Sequence, residues 1–136
     1  MNRSSNKRGR GRKLIAVGKL SSAMEKICAE MSEKSGVEVI VLPDEPDKDV
    51  KSALRRESDA ILERIDEKDY VVLFDLHGKK MTEAIRNLPD LVYVIGGSNG
   101  VDERVKARAN AKISVSGLTY PHGLFRLLSL EIILNK

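Results

Sequence analysis

The amino-acid sequence predicts a single α/β domain, with a mostly parallel sheet covered by helices on both faces. Short apolar segments of strand length alternate with longer segments of helical periodicity along most of the chain. Residues 70–74 and 91–95 are apolar almost throughout, which is typical of parallel strands buried on both sides. With 136 residues, the chain is long enough for one ordinary domain and too short for two.

The first half of the chain is predicted to form a strand, a helix, a strand and a helix. In order, these are Lys13–Val17, Ser21–Ser35, Val37–Leu42 and Asp49–Lys68. The apolar face of the first helix is predicted to contain Met24, Ile27, Cys28 and Met31, with Gly36 as its C-cap. The apolar positions of the second helix are Val50, Leu54, Ile61, Leu62 and Ile65. We expect the Cys28 thiol to pack as a small buried hydrophobic group.

The second half is predicted to contain three further strands and three helices. In order, the segments are Tyr70–Phe74, Thr82–Asn87, Leu91–Ile95, Asp102–Asn110, Lys112–Ser116 and Pro121–Leu134. The last of these helices is apolar around nearly its whole circumference, so it must be buried on more than one side. In so small a domain the second covering surface is expected to be another subunit, which predicts a homodimer.

Basic residues are concentrated at the N-terminus. Residues 1–13 contain six Lys or Arg residues and no acid, so the rest of the chain carries 18 basic and 20 acidic residues. We expect 1–13 to form a disordered basic tail and 14–136 to form the folded domain. A tail of this composition attracts phosphate backbones without reading sequence. The alternative is an added extension that serves only solubility.

Several classes of protein are disfavoured by composition. No apolar run approaches the roughly 20 residues that span a bilayer, and the N-terminus lacks the apolar core of a secretory signal. We therefore expect a cytoplasmic protein without membrane contact. One cysteine and two histidines, without a His-Glu-x-x-His spacing, also predict that there is no metal site.

Three loops follow predicted strands at their carboxyl ends, where open α/β sheets bind ligands. They are Asp75–Gly78, Gly96–Gly100 and Ser114–His122. The glycines of the second loop allow positive φ and a close approach of backbone to a ligand, although a plain tight turn uses the same residues. The second loop is not a dinucleotide fingerprint, and it lacks the Gly-Lys-Ser/Thr of a phosphate-binding loop.

Taken in order, these loops resemble one family. The segments F-D-L-H-G-K at 74–79, V-I-G-G-S-N-G at 94–100 and I-S-V-S-G-L-T-Y-P-H-G-L-F-R at 113–126 are similar to the RlmH family of SPOUT-class methyltransferases. A-V-G-K-L at 16–20 and V-L-P-D-E at 41–45 also resemble it, so the likeness covers roughly residues 14–134. These enzymes methylate N3 of a pseudouridine in large-subunit ribosomal RNA.

The resemblance implies a SPOUT domain with a C-terminal trefoil knot, working as a homodimer with S-adenosyl-L-methionine on ribosomal RNA or the ribosome. The cofactor-binding positions that it implies are Phe74, Leu76, Gly78, Ile95, Gly96, Gly97, Gly100, Ser114, Ser116, Leu118 and Thr119. The catalytic positions that it implies are His122 and Arg126. His122 is suited to remove the N3 proton, and Arg126 to hold a phosphate or the uracil oxygens.

Alternative roles stay open for these polar residues. His122 is also in a position to cap the last helix, His77 to lie in an exposed turn, and Arg126 to form an interface ion pair. No tyrosine or histidine follows His122, whereas the family ends in a Tyr-His-Lys tail after a Tyr-Arg-Ala segment. The alternative function is therefore a non-catalytic, minimised or engineered knotted dimer that binds cofactor or RNA without methyl transfer.

Overall fold

The computed structural model describes residues 12–45, 48–79, 88, 90–97, 99–114 and 126. Within them it contains five strands and three helices. In chain order these are β1 (Arg12–Val17), α1 (Ser22–Ser35), β2 (Val37–Leu42), α2 (Val50–Leu62), β3 (Tyr70–Lys79), β4 (Leu91–Ile95), α3 (Glu103–Arg108) and β5 (Ala111–Ile113). The predicted knot and nearly all of the predicted final helix fall outside the described residues, as do residues 1–11 and the predicted helix 82–87.

The five strands form one sheet in the order β2-β1-β4-β3-β5, and every neighbouring pair is parallel. The first two strands occupy one side of the sheet and the later three occupy the other. β1 and β4 meet at this boundary, which is the point where an open α/β sheet opens its ligand crevice. The predicted α/β class with a parallel sheet is confirmed.

The sheet is covered on both faces, as predicted. On one face, Cys28 of α1 packs with Leu14, Tyr93 and other alternate strand residues. On the opposite face, Ile61 of α2 and Val105 of α3 pack with the other set of alternate strand residues. Because successive strand residues point to opposite faces, a central strand needs apolar residues at nearly every position, and β4 is buried along its whole length.

Capping residues define the start of both long helices and the end of α1. The Ser21 hydroxyl accepts the amide of Met24 at 3.3 Å, and Gly36 closes α1 in the left-handed conformation at φ 73°. Asp49 caps α2 by accepting the amide of Lys51 at 3.1 Å. The predicted Gly36 cap is therefore confirmed, and Ser21 and Asp49 are caps rather than the first helical residues.

The predicted end of α2 at Lys68 is wrong, since the helix ends at Leu62. Residues 63–69 form turns in which Asp66 and Asp69 bind one another. The Asp69 carboxylate accepts the Asp66 amide at 2.8 Å, and the Asp66 carbonyl accepts the Asp69 amide at 3.1 Å. Arg108 then donates to the carbonyls of both residues at 2.8 and 3.0 Å. These side-chain bonds compete with continued helix.

Two predicted core positions are also wrong. Ile27 is 46% exposed and Val50 is 52% exposed. On α1, the stripe that faces the sheet is centred on Cys28, and Ile27 lies at its edge. On α2, the buried residues are Ala53, Glu57, Ser58 and Ile61. Two of these four side chains are polar, so the hydrophobic pattern did not identify them as buried.

The bounds of β3 and β5 also differ from the predicted ones. β3 continues to Lys79, but Phe74 and Lys79 both pair with Ile113, so residues 75–78 form an irregular insertion within the strand. The predicted first loop is therefore an interruption of β3 rather than its end. β5 begins at Ala111 because Asn110 already exchanges bonds with Val71 of β3: its amide donates at 2.8 Å and its side-chain oxygen accepts at 2.8 Å.

The burial of Cys28 predicts a pH effect on stability. Desolvation raises the pKa of the thiol, and a hydrogen bond from Arg126 offsets part of that rise. Because the pKa of the thiol is higher in the folded state, its contribution to stability is complete at a pH below the unfolded-state pKa of about 8.5. This contribution is lost as the pH rises through the folded-state pKa. The difference in unfolding free energy between wild type and Cys28→Ala should therefore narrow between pH 7 and 10. A constant difference, measured by denaturant titration, would contradict this.

Candidate active site

Parallel pairing brings the ends of β1, β3, β4 and β5 to one edge of the sheet. Phe74 and Ile95 are buried there, and Ser114, the residue after β5, is half-buried. β4 lies between β1 and β3, so the glycine loop that follows Ile95 is central in this edge. The beginnings of the three predicted loops are thus adjacent, as expected from the sequence.

The glycine loop folds tightly back on itself. The Gly97 carbonyl accepts the Gly100 amide at 2.9 Å, and Gly100 has a φ of 77°, which favours glycine. A Cβ at Gly96 would lie 2.6 Å from the Gly100 carbonyl oxygen and 2.9 Å from Val101 Cγ1. Only glycine fits at position 96 without a shift of backbone, because the nearest atoms belong to the facing main chain.

Gly97 is packed against the ends of the first two strands. A Cβ there would lie 3.0 Å from Val17 Cγ1, 3.0 Å from Asp44 Oδ1 and 3.2 Å from Glu57 Oε1. The Glu57 side chain is buried, and its other oxygen accepts the Glu45 amide at 2.9 Å. Two carboxylates therefore flank the glycine loop on the β1–β2 side. Carboxyl oxygens at this edge suit a cationic ligand better than an anionic one.

α2 positions the start of α3 as well. The Ser58 hydroxyl, fully buried, accepts the Asp102 amide at 3.1 Å. Asp102 caps α3 through the amides of Arg104 and Val105, and the Arg104 guanidinium binds both Asp102 and Asp59 at 2.7 Å. The glycine loop is consequently held at its far end by bonds to α2. This explains why a polar pair, Glu57 and Ser58, is buried on that helix.

The Asp102 cap is predicted to be worth about 1–2 kcal/mol of unfolding free energy, lost in Asp102→Ala. Burial alone would raise the pKa of Asp102, but the hydrogen bonds from Arg104 and from the Val105 amide outweigh it and lower the pKa. A lowered folded-state pKa gives stability that is present above the unfolded value, near 4, and lost as pH falls through the folded value. The cost of Asp102→Ala should thus shrink below pH 4.

The matched control is Glu103→Ala in the same helical turn. Its carboxylate is 90% exposed and pairs only with Lys106 among the described residues, at 3.4 Å. Removal of such a surface pair should change the unfolding free energy by less than about 0.5 kcal/mol. Equal effects of the two substitutions in chemical denaturation would mean that Asp102 does not cap α3.

Arg126 lies in a helical turn and is fully buried. Its Nη1 donates to Glu25 Oε1 at 3.0 Å, and its Nη2 donates to the Gly18 carbonyl. Glu25 also accepts the Leu20 amide at 2.9 Å through Oε2. The guanidinium thus joins the C-terminal part of the chain to the turn after β1. The guanidinium is thus bound within the chain, and the role in substrate binding that the sequence suggested for Arg126 stays a prediction.

The other predicted site residues divide into two groups. The structure describes Phe74, Ile95, Gly96, Gly97, Gly100 and Ser114 at the carboxyl edge, and the backbone of Leu76 and Gly78 in the irregular part of β3. Ser116, Leu118, Thr119 and His122 lie outside the described residues. Among the residues that are described, no group of three His, Cys, Asp or Glu side chains is arranged to hold a metal ion.

Three acidic residues at or near this edge were not predicted to contribute: Glu25, Asp44 and Glu57. Glu57 had a signal in the sequence, because it lies four residues from both Ala53 and Ile61 and therefore on the buried stripe of α2. Glu25 had none, since its partner Arg126 is a hundred residues away.

No helix in the described part of the chain is long and apolar enough to cross a membrane.

Comparison with known proteins gives consistent matches. A family model described as "Predicted SPOUT methyltransferase" matches residues 12–134. The ribosomal RNA large subunit methyltransferase H of Caldicellulosiruptor saccharolyticus is 38% identical over 136 residues, which cover 88% of each chain. The protein of the same name from Streptococcus suis is 35% identical, again over 88% of each chain.

A solved structure shares the fold at low identity. The crystal structure of the "A. aeolicus TrmH/SpoU tRNA modifying enzyme" superposes with a TM-score of 0.52 and 14% sequence identity. The superposition covers 94% of this chain and 76% of that chain. At this identity the likeness concerns the arrangement of strands and helices alone.

Proposed function

The chain belongs to the SPOUT methyltransferase family, and from this premise we propose that it transfers a methyl group from S-adenosyl-L-methionine to large-subunit ribosomal RNA. The relatives that it matches over most of their length are named ribosomal RNA large subunit methyltransferase H. The acceptor that we propose, following the RlmH resemblance, is N3 of a pseudouridine. The ribosome is then the partner, and the cytoplasm is the compartment.

The observation that carries this proposal is the glycine loop at the carboxyl end of β4. Gly96 packs against the Gly100 carbonyl and leaves no space for a side chain, which fixes the shape of the loop backbone that we propose as the binding surface. Backbone donors and acceptors of this kind suit an adenine ring and a ribose. The proposed cofactor-binding residues are Phe74, Leu76, Gly78, Ile95, Gly96, Gly97, Gly100, Ser114, Ser116, Leu118 and Thr119.

The chemistry of the edge fits the proposed cofactor. When bound, S-adenosyl-L-methionine supplies an electrophilic methyl group on a positively charged sulfur. Buried apolar side chains such as Phe74 and Ile95 exclude water beneath the loops. The carboxyl oxygens of Asp44 and Glu57, beside Gly97, favour a cationic ligand over an anionic one at this end of the sheet.

The acceptor must lose a proton for methyl transfer to N3. We assign removal of that proton to His122, because an imidazole titrates near neutral pH and acts as a general base in that range. In-line approach of N3 to the methyl group requires both ligands to be held rigidly. The segment Pro121–Leu134, which the sequence predicts to be an apolar helix, is the surface that we propose to pair with a second subunit.

Binding and transfer are measured separately. Titration calorimetry with S-adenosyl-L-methionine measures the first, and incorporation of a tritiated methyl group into ribosomes that lack the modification measures the second. Reverse transcription should then stop at one pseudouridine, because N3 methylation blocks base pairing. Light scattering should give the mass of a dimer.

Each result separates the proposal from its alternative. Cofactor binding with methyl transfer supports the proposed enzyme. Cofactor or RNA binding without transfer to ribosomes, subunits or free ribosomal RNA supports a non-catalytic knotted dimer instead. The absence of cofactor binding at high micromolar concentration would reject the methyltransferase assignment, and transfer to a different nucleotide would reject the pseudouridine assignment alone.

A further inference from the structure

We propose that Arg126 and Glu25 form a clamp that positions the C-terminal segment on the end of β1 and supports catalysis without contacting RNA. The clamp consists of Arg126, Glu25 and the turn 18–20. This inference rests on the proposed function, since its role is defined by methyl transfer. It assigns a task to Glu25, and it replaces the contact with phosphate or uracil that the sequence suggested for Arg126.

The first argument is the burial of the guanidinium. Arg126 is 0% exposed, and its two terminal nitrogens bind the Glu25 carboxylate and the Gly18 carbonyl of the same chain. A buried charge is stable only when it is paired and hydrogen-bonded, and removal of one partner is strongly destabilising. A phosphate would therefore have to displace Glu25 from a site that the protein already fills.

The second argument is that the two carboxylate oxygens of Glu25 bind different parts of the chain. One oxygen binds Arg126 at 3.0 Å, and the other accepts the Leu20 amide at 2.9 Å. Arg126 itself holds the Gly18 carbonyl. The backbone on both sides of the exposed Lys19 is thus bound to one ion pair. The clamp therefore fixes the turn after β1 and the C-terminal segment with respect to each other.

The third argument is the short path from the clamp to the glycine loop. Gly18 follows Val17 directly, and its amide donates to the Leu42 carbonyl at 2.7 Å, which ties β1 to β2. The Val17 side chain packs against Gly97, since a Cβ there would lie 3.0 Å from Val17 Cγ1. A displacement of Gly18 is consequently transmitted to the glycine loop through one packed side chain. In the sequence, Arg126 follows the proposed base His122 by four residues.

Steady-state kinetics on ribosomes distinguish positioning from direct RNA contact. Arg126→Met and Glu25→Gln should each lower kcat by tenfold or more and leave KM for the ribosome within about threefold, because loss of positioning affects the transition state rather than ground-state binding. Arg126→Lys, which keeps the charge and one bond, should recover part of kcat. Glu33 is an exposed acid on α1, the helix that contains Glu25, and Glu33→Gln should behave as wild type.

Direct contact predicts a different pattern. If Arg126 bound RNA, Arg126→Met would raise KM with kcat unchanged, and Glu25→Gln would have no effect. Either result overturns the clamp. Glu25→Gln is isosteric and only partly buried, so it keeps the test valid if Arg126→Met fails to fold.

A double-mutant cycle tests the clamp independently of catalysis. The effect of Glu25→Gln on the unfolding equilibrium constant should be at least fivefold smaller in an Arg126→Met background than in wild type. Additive effects would mean that the two side chains do not act together. If wild type transfers no methyl group but the cycle shows coupling, the proposed function fails while the clamp stands as a structural connection only.

Discussion

Gly96→Ala is expected to abolish cofactor binding within the concentration range of calorimetry and to remove methyl transfer with it. The added Cβ would lie 2.6 Å from the Gly100 carbonyl oxygen and 2.7 Å from its carbon. Both atoms belong to the main chain, so they cannot move aside as the end of a flexible side chain does. The loop must open, and the backbone groups proposed to bind the cofactor move with it.

Gly97→Ala should have a smaller effect, which makes the pair informative. Its Cβ would meet side-chain atoms of Val17, Asp44 and Glu57 at 3.0–3.2 Å. Side chains can shift by a few tenths of an ångström, so we expect cofactor affinity to fall several-fold rather than to vanish. The order of the two variants tests whether the loop backbone, rather than glycine content, determines binding.

Gly36→Ala controls for lost stability. Gly36 has a φ of 73° at the end of α1, and nothing lies within 4 Å of an added Cβ. Alanine there is strained by about 1 kcal/mol without any clash. We expect cofactor affinity to be unchanged in this variant. Calorimetry that finds wild-type affinity in Gly96→Ala would show that the glycine loop does not form the cofactor pocket.

Much of the fold was predictable from hydrophobic periodicity. β2 and β4 have the bounds that the sequence predicts, because both are uninterrupted apolar or alternating segments with a turn at each end. The family resemblance, drawn from the three loops, is confirmed by matches over most of the chain. Local patterns suffice for these features since strand length and turn chemistry are encoded within a few residues.

The early end of α2 and its buried polar residues have a common physical cause, which is competition from contacts distant in sequence. The pattern favoured helix to Lys68, but Arg108 binds the carbonyls of Asp66 and Asp69 and stabilises a turn instead. Glu57 and Ser58 are buried because each binds the backbone of a different loop. No local propensity reports such partners, so polar residues on an apolar stripe are where sequence patterns fail and where the structure adds most.

The same limit applies to the site. Glycines and the order of loops were visible in the sequence, and the structure brings the starts of these loops together at the carboxyl edge. The carboxylates of Asp44 and Glu57 converge on Gly97 from a loop and a helix that follow β2. Their approach depends on β1 lying between β2 and β4, a strand order that alternation of elements alone does not determine.

His122→Asn is expected to lower kcat by about 10²–10⁴-fold while leaving cofactor affinity unchanged, the usual loss when a general base is removed. Asparagine is the informative replacement because the competing explanation for His122 is a helix cap. An asparagine side chain caps a helix at least as well as other residues do, but it cannot accept a proton at neutral pH. The substitution therefore removes the base and keeps the cap.

His77→Asn is the matched control, since His77 and His122 are the two histidines of the chain. It makes the same chemical change within residues 75–78, the irregular part of β3, and we expect methyl transfer to stay within threefold of wild type. Full activity in His122→Asn would assign His122 to capping and require another base. Loss of activity in both variants, with cofactor affinity retained, would instead implicate His77 in the reaction. Only a selective loss in His122→Asn supports proton removal by this residue, because capping, folding and cofactor binding are then all accounted for.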